Sequence, residues 1–262
     1  MATSTVEAKR LPDMFSSVSL EPVLYNDLDT GKMHVILDDP TFGKTPVSMV
    51  SKNYAIWSNY EATKVVEEIM HRSPYQFGPV HNIWNGKQLS MFWKTTENII
   101  DLPEVGDAIN LGIRLDNSYD GTSKLRIAIM AYVLKCTNGM VSDRNWGVFS
   151  VRHDNSRVID WTDAAFQLEH GAGKVISFAP QFKQMTEKKF DMSSMLNLAA
   201  DSGINASFLG KYVKALADEK KDNFTQWEAM NVGTALMNNP DSFTGVRQLE
   251  ALTNVFLENV KN

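Results

Sequence analysis

Residues 109–140 read INLGIRLDNSYDGTSKLRIAIMAYVLKCTNGM, and this stretch decides the fold class. Its first part alternates apolar residues with small or polar ones, which is the pattern of a strand that has one buried face. A second alternating run follows, from Leu125 to Val133. Between the two runs, residues 117–121 (Asn-Ser-Tyr-Asp-Gly) are typical of a turn. The stretch therefore predicts a long antiparallel hairpin.

Shorter strands are expected on both sides of this hairpin. An Asn-Gly pair at residues 85–86 is a strong signal for a tight hairpin turn. Together the alternating patterns predict strands at residues 22–25 and 33–37 around a turn at 27–32, and at 45–50, 77–84, 89–94, 108–136 (the long hairpin) and 147–152.

Helical periodicity appears once before this hairpin and dominates after Trp161. Ser58 and Glu61 have capping-box spacing at the start of a predicted helix over residues 59–72. Thr225 and Glu228 repeat that spacing near the C-terminus. The later helices are predicted at residues 162–189, with a break caused by Gly171, Gly173 and Pro180, and at 192–202, 206–221, 225–238 and 243–260.

These elements predict an α+β fold, with a curved, mostly antiparallel sheet, a packed helix and a helical C-terminal region that covers the sheet. We divide the chain into a flexible N-terminal arm (1–20), a strand-rich α+β core (21–156) and a helical region (157–262). No linker-like segment separates the last two, so both can belong to one domain.

Composition is that of an ordinary soluble globular protein, with 43% hydrophobic and 22% charged residues. The net charge of −5 gives a nucleic-acid or membrane-surface partner no support from bulk charge. The chain has one cysteine, no apolar run long enough to span a membrane and no secretory signal. We therefore expect a cytoplasmic protein without disulfides or membrane attachment.

No catalytic or metal-binding motif is visible. Cys136 has no histidine in a recognisable pairing, so we expect a small buried side chain and not a nucleophile. The five histidines and single cysteine show no zinc spacing. Residues 171–174 (Gly-Ala-Gly-Lys) lack the spacing of a phosphate-binding loop. The sequence therefore predicts a protein that is not an enzyme and that needs no cofactor.

Cations on the predicted strands are the candidate binding residues. Among residues 80–156, most acidic residues fall in predicted loops, whereas several cations fall on the polar faces of predicted strands. Cations beside aromatic rings suit single-stranded nucleic acid, which binds by charge and stacking. The candidate residues are Lys94, Arg114, Lys124 and Arg126, with Trp93 and Tyr119 as stacking surfaces. A solvated sheet face, and simple turn chemistry at Tyr119, are the alternatives.

Several motifs resemble a known family. They are residues 117–121 (NSYDG), the basic-apolar strand that follows, residues 136–140 (CTNGM), and Trp227 with Asn231 in a later helix. Together they resemble a family of phage- and plasmid-encoded proteins that share a domain of unknown function, over roughly residues 45–240. The predicted architecture is also similar to that of single-strand annealing recombinases, which form rings or filaments. That similarity implies single-stranded DNA as a partner and a homo-oligomer.

Three hypotheses follow. The leading one is a phage-type DNA-metabolism protein that binds single-stranded DNA, with strand annealing or recombination as its task. The second is a host-takeover or regulatory protein that acts by protein–protein interaction, which the acidic net charge fits equally well. The third is an enzyme whose site is assembled from scattered residues.

Overall fold

Strands dominate the first part of the chain, with one helix among them, and helices form the last part. The computed structural model describes residues 11–133, 138–141, 146–154, 161–219, 221, 223–237 and 244–261. The strands are β1 (Ser17–Tyr25), β2 (Leu28–Asp39), β3 (Gly43–Ser51), β4 (Phe77–Trp84), β5 (Gln88–Thr95), β6 (Ile100–Leu102), β7 (Asp107–Ser118), β8 (Leu125–Val133), β9 (Asn138–Val141) and β10 (Val148–Val151). The helices are α1 (Asn59–Arg72), α2 (Trp161–Ser177), α3 (Ala179–Glu187), α4 (Met192–Asp201), α5 (Ala206–Asp218), α6 (Gln226–Met237) and α7 (Thr244–Lys261), with a 3₁₀ turn at Pro103–Val105. The predicted α+β fold is confirmed.

The strands form two antiparallel sheets. The small sheet has the order β1-β2-β3, and the large sheet has the order β10-β8-β7-β5-β4, with β6 on β7 and β9 on β8. The predicted long hairpin is β7 and β8, in which Ile113 lies opposite Ile129 and Asp116 opposite Arg126. Cys136 and residues 134–137 around it lie outside the described residues.

Helix α1 begins and ends where the sequence predicts. The Ser58 hydroxyl accepts a hydrogen bond from the Glu61 backbone N–H at 3.1 Å and donates one to the Glu61 carboxylate at 2.7 Å. Ala62, Val66 and Ile69 face the core, as the helical periodicity requires. This helix packs against β7 of the large sheet.

The apolar core lies between the large sheet and the helices. The face of β7 and β8 that carries Ile113 and Ile129 packs under α1 and α2. The opposite face of the hairpin is reached by α7, whose Glu250 pairs with Arg126. All twelve residues of β7 are consequently buried. The predicted domain boundary falls in residues 155–160, outside the described residues, and the two regions share this core.

The N-terminal segment differs from the predicted flexible arm in its described part, residues 11–20. Strand β1 starts inside it, at Ser17. Just before the strand, the Asp39 carboxylate accepts hydrogen bonds from the Asp13 backbone N–H at 2.7 Å and the Ser16 hydroxyl at 2.8 Å. These donors lower the pKa of Asp39 to about 2. Polar contacts that no hydrophobic pattern reveals therefore hold this segment.

The first hairpin turns earlier than predicted. Asn26 and Asp27 both have positive φ, at 49° and 62°, and Tyr25 lies opposite Leu28. Such a two-residue turn matches the twist of antiparallel strands. Residues 28–32 of the predicted turn (27–32) therefore belong to strand β2.

Two expectations about the helical region are wrong. Gly171 and Gly173 do not break a helix, because both lie inside α2, and the chain breaks at Phe178 where Pro180 opens α3. Helical periodicity predicts that the aromatic residues of these helices lie in the core, but the side chain of Phe166 is 53% exposed and lies against the His170 ring. Gly171 instead permits close packing, since a β-carbon there would lie 2.5 Å from Ile129 Cγ1 and 2.6 Å from the Trp146 carbonyl oxygen.

Gly171→Ala tests this close approach of α2 to β8. We expect the free energy of unfolding to fall by about 1–3 kcal/mol, because the added methyl group overpacks against backbone. Gly173→Ala is the matched control, since a β-carbon there meets no atom within 4 Å. Its higher helix propensity should leave stability unchanged or raised by up to about 1 kcal/mol. Equal effects of the two changes in urea denaturation would contradict the packing argument.

Candidate nucleic-acid interface

A cleft of about 980 Å³ lies over the polar face of the large sheet. Strands β5, β7, β8 and β10 contribute residues to it, together with the β7–β8 turn, the start of α5 and helix α7. We call it the basic groove and define it by Tyr54, Gln88, Leu89, Arg114, Asp116, Gly121, Thr122, Ser123, Lys124, Arg126, Val148, Ser150, Arg152, His153, Asn205 and Gln248.

Four of these lining residues are Lys or Arg, and only Asp116 is acidic. Three of the cations, Arg114, Lys124 and Arg126, are sequence-predicted site residues. The fourth, Arg152, is not among the sequence-predicted site residues. In the structure Ser150 of β10 lies opposite Arg126, and Arg152 directly follows the last residue of that strand.

Arg114 is not on a solvated face, in contrast to the sequence-based expectation. Its side chain is 3% exposed and pairs with Asp116 Oδ1 at 2.8 Å through Nε and at 2.6 Å through Nη2. Nη2 also donates to the Ser90 hydroxyl at 3.2 Å, and the guanidinium lies 5.0 Å from the Phe92 ring centroid. Burial lowers the pKa of Arg114, and the Asp116 carboxylate opposes that shift. Nη1 has no hydrogen-bond partner among the described residues.

The other groove cations are more accessible. Arg126 Nη2 contacts Glu250 Oε1 at 2.6 Å, and these two side chains are 17% and 15% exposed. Lys124 and Arg152 are exposed, and within the described part of the chain neither has an ion pair. Their charges are therefore the most available to an anionic ligand that enters the groove.

Lys94 and Trp93 lie on β5 outside the groove lining. The Lys94 ammonium lies 5.3 Å from the Tyr132 ring centroid, which is a cation–π contact. Trp93 is 5% exposed, so its ring is part of the core and offers no open stacking face. The structure does not bring these two residues together with the three sequence-predicted cations of the groove.

Tyr119 is also buried, at 1% exposure, and its hydroxyl already has a hydrogen-bond partner. It accepts a hydrogen bond at 2.9 Å from the backbone N–H of Asn59, the first residue of α1. Asn117 Nδ2 donates to Asn59 Oδ1 and to the Trp57 carbonyl oxygen, both at 2.8 Å. Burial raises the pKa of Tyr119. These contacts join the long hairpin to the start of α1, and we call them the Tyr119 network.

Residues 117–121 also contact the small sheet and form the turn between β7 and β8. The Ser48 hydroxyl of β3 donates to the Tyr119 carbonyl oxygen, and the Tyr54 hydroxyl donates to the Ser118 carbonyl oxygen at 2.7 Å. Asp120 Oδ1 accepts from the Thr122 backbone N–H at 3.0 Å, while Gly121 has φ +73°. Turn chemistry, which was the alternative interpretation of this motif, thus accounts for Asp120 and Gly121. The contacts of Tyr119 support the fold.

His153 lines the groove beside Tyr54. The two rings stack with centroids 4.8 Å apart, and His153 Nδ1 contacts the Ala55 carbonyl oxygen at 2.9 Å. Because a carbonyl only accepts, Nδ1 carries the proton in this contact. Burial lowers the pKa of His153, which favours the neutral ring, and raises the pKa of Tyr54 to about 12.

The described part of the chain contains neither a metal-binding cluster nor a membrane-spanning helix. No group of three or more His, Cys, Asp or Glu residues is placed to hold a metal ion there. None of the described helices has the length and apolar character needed to cross a membrane.

The fold and groove define an α+β protein with a cation-lined cleft on a mostly antiparallel sheet. A family model described as domain of unknown function DUF932 matches residues 46–248, and the chain belongs to this family. Searches of curated proteins and of solved structures give no match.

Arg114→Ala tests the buried ion pair. Removing one partner leaves the Asp116 carboxylate without its buried counter-charge, so we expect a loss of about 3 kcal/mol in the free energy of unfolding. Lys124→Ala, which removes an exposed groove cation, should leave stability within about 0.5 kcal/mol of the parent. Similar stability of both variants in urea denaturation would show that the pair does not support the fold.

Tyr119→Phe tests the Tyr119 network. Without the hydroxyl, the Asn59 N–H loses its acceptor in a buried setting, at a cost of about 1–3 kcal/mol. Tyr60→Phe is the matched control, because the Tyr60 side chain is 55% exposed. We expect thermal unfolding to shift downward for the first variant only, and a shift in both would indicate a general effect of phenylalanine.

Proposed function

We propose that this protein is a phage-type DNA-metabolism protein that binds single-stranded DNA in the basic groove and promotes strand annealing or recombination in the host cytoplasm. The observation that carries the proposal is the convergence of Arg114, Lys124, Arg126 and Arg152 on one cleft of a chain whose net charge is −5. A local excess of cations attracts the phosphate backbone, whose contacts dominate nucleic-acid affinity.

The availability of each cation suggests its role. Lys124 and Arg152 are exposed and would contact phosphates directly. Arg126 would exchange part of its interaction with Glu250 for a phosphate. Arg114 would contribute only electrostatically from the floor of the groove, because its charge is buried and paired with Asp116. The hydroxyls of Ser123 and Ser150 line the same cleft and can donate further hydrogen bonds, whereas the Thr122 hydroxyl already donates to Asp120 Oδ1.

Binding of this kind would be independent of base sequence. Trp93 and Tyr119 are buried, so the proposal gives them no stacking role and assigns affinity to the backbone. Bases left outside the groove remain available for pairing with a complementary strand. Base pairing then supplies the free energy of annealing, and the protein needs no cofactor or catalytic group.

A second candidate is a regulatory protein that binds another protein. The acidic net charge favours it, since long-range repulsion opposes the approach of DNA to every surface except the groove. Measured affinity for oligonucleotides at low salt separates the two candidates.

Lys124→Ala combined with Arg152→Ala tests the groove directly. We expect fluorescent oligothymidine to bind several-fold more weakly, because two exposed phosphate contacts are lost. The dependence of log affinity on log salt should become shallower by about 0.7 per contact, and so by about 1.4 in total. Fluorescence anisotropy over a salt series measures both quantities.

Lys211→Ala combined with Lys214→Ala is the matched control. It removes the same charge from exposed positions of α5 that do not line the groove, so both affinity and salt dependence should stay near those of the parent. If both double variants bound the oligonucleotide equally weakly, the loss of affinity would be explained by net charge alone. Failure of the parent protein to bind at low salt would reject DNA binding and favour the protein-interaction candidate.

A further inference from the structure

The turn end of the β1–β2 hairpin exposes a group of large apolar side chains. Leu24, Tyr25 and Leu28 are 56%, 72% and 70% exposed. Tyr25 lies opposite Leu28 in the register, so their side chains are neighbours across the two strands. We call residues 24–28 the hairpin tip. Grouped exposed apolar side chains of this size are typical of interaction surfaces.

A separate apolar recess lies between α1, α2 and the large sheet. It has a volume of about 280 Å³, and its walls include Ile69, Phe77, Leu111, Ile113, Ile129 and Ile176. Glu169 and Gly173 of α2 also line it. We call it the apolar pocket. Its volume lies just below the range of small-molecule sites and suits one aromatic side chain.

Gly173 leaves this pocket open at a cost in helix stability. Glycine in a helix interior is less favourable than alanine. No packing contact explains it, since a β-carbon at this position would meet no atom within 4 Å. Gly171, two residues earlier, contrasts with it because close packing accounts for that glycine. The space at Gly173 is therefore available to an occupant from outside.

We propose that the hairpin tip of one copy of this chain inserts Tyr25 into the apolar pocket of a second copy, with Leu28 packed at its edge. The chain itself carries both complementary surfaces. The polar groups also match, since the Tyr25 hydroxyl can donate to the carboxylate of Glu169, an exposed residue that lines the pocket.

Two exposed cations beside the pocket can also meet the carboxylates of the tip. The tip carries exposed carboxylates at Asp27 and Asp29 and no cation between residues 24 and 29. Beside the pocket, Arg72 and Lys174 are exposed and adjoin the lining residues Ser73 and Gly173 in sequence. Arg72 has a long 3.9 Å contact with the exposed Glu68, which leaves most of its charge to a partner.

The two surfaces differ, so the interface is heterologous. Each added copy retains one free tip or one free pocket, and assembly continues until a ring closes or a filament forms. This inference does not depend on DNA binding, because neither surface belongs to the basic groove.

The test compares two variants, each lacking one half of the interface. The tip variant is Leu24→Ser, Tyr25→Ser and Leu28→Ser, and the pocket variant is Gly173→Leu, which fills the recess. In sedimentation velocity we expect the parent to form oligomers and each variant to self-associate at least tenfold more weakly. An equimolar mixture of the two variants should form a one-to-one dimer that grows no further, because one intact tip and one intact pocket remain.

Met49→Ser is the control for loss of an exposed apolar side chain, since Met49 is 54% exposed on the small sheet, and its assembly should match the parent. Circular dichroism melting establishes that each variant is folded, and Ile176→Glu replaces Gly173→Leu if the latter unfolds. A monomeric parent at about 100 µM, undiminished assembly of the tip variant, or no dimer in the mixture would each overturn the proposal.

Discussion

Strand β7 is buried along its whole length and on both faces, and the polar residues it carries must be satisfied inside the protein. Arg114 and Asp116 meet most of that requirement through each other, with the Ser90 hydroxyl as a shared neighbour, while Arg114 Nη1 has no partner among the described residues. A buried ion pair contributes little net stability, but loss of one partner is costly. The central strand of the sheet therefore depends on this pair remaining intact.

The Tyr119 network extends the same constraint beyond the large sheet. Through it, the end of the long hairpin contacts the start of α1 at Asn59, and the Tyr119 carbonyl oxygen also contacts the small sheet at Ser48. Three separate parts of the chain thus converge on one short motif. These hydrogen bonds are buried or partly buried, so water competes little for them, and each contributes to the relative position of these elements.

The basic groove is a consequence of this arrangement. Its floor holds a buried, neutralised pair, whereas its rim carries exposed charges at Lys124 and Arg152. An anionic ligand would gain most from the rim, since those side chains have no competing partner among the described residues. The floor then supplies rigidity and a fixed local field. This division explains why residues that look equivalent in the sequence have different expected effects when replaced.

The sequence alone determined the class of fold and most element boundaries. Alternating apolar residues gave the long hairpin, and the capping box at Ser58 and Glu61 placed the start of α1, because local hydrogen bonding and side-chain periodicity act over a few residues. Sequence also singled out Arg114, Lys124 and Arg126, which the structure brings to one cleft. It did not show that Arg114, Trp93 and Tyr119 are buried, nor that Arg152 joins the groove. Burial of a strand's second face and the pairing of β10 with β8 depend on distant segments, and only the tertiary structure decides them.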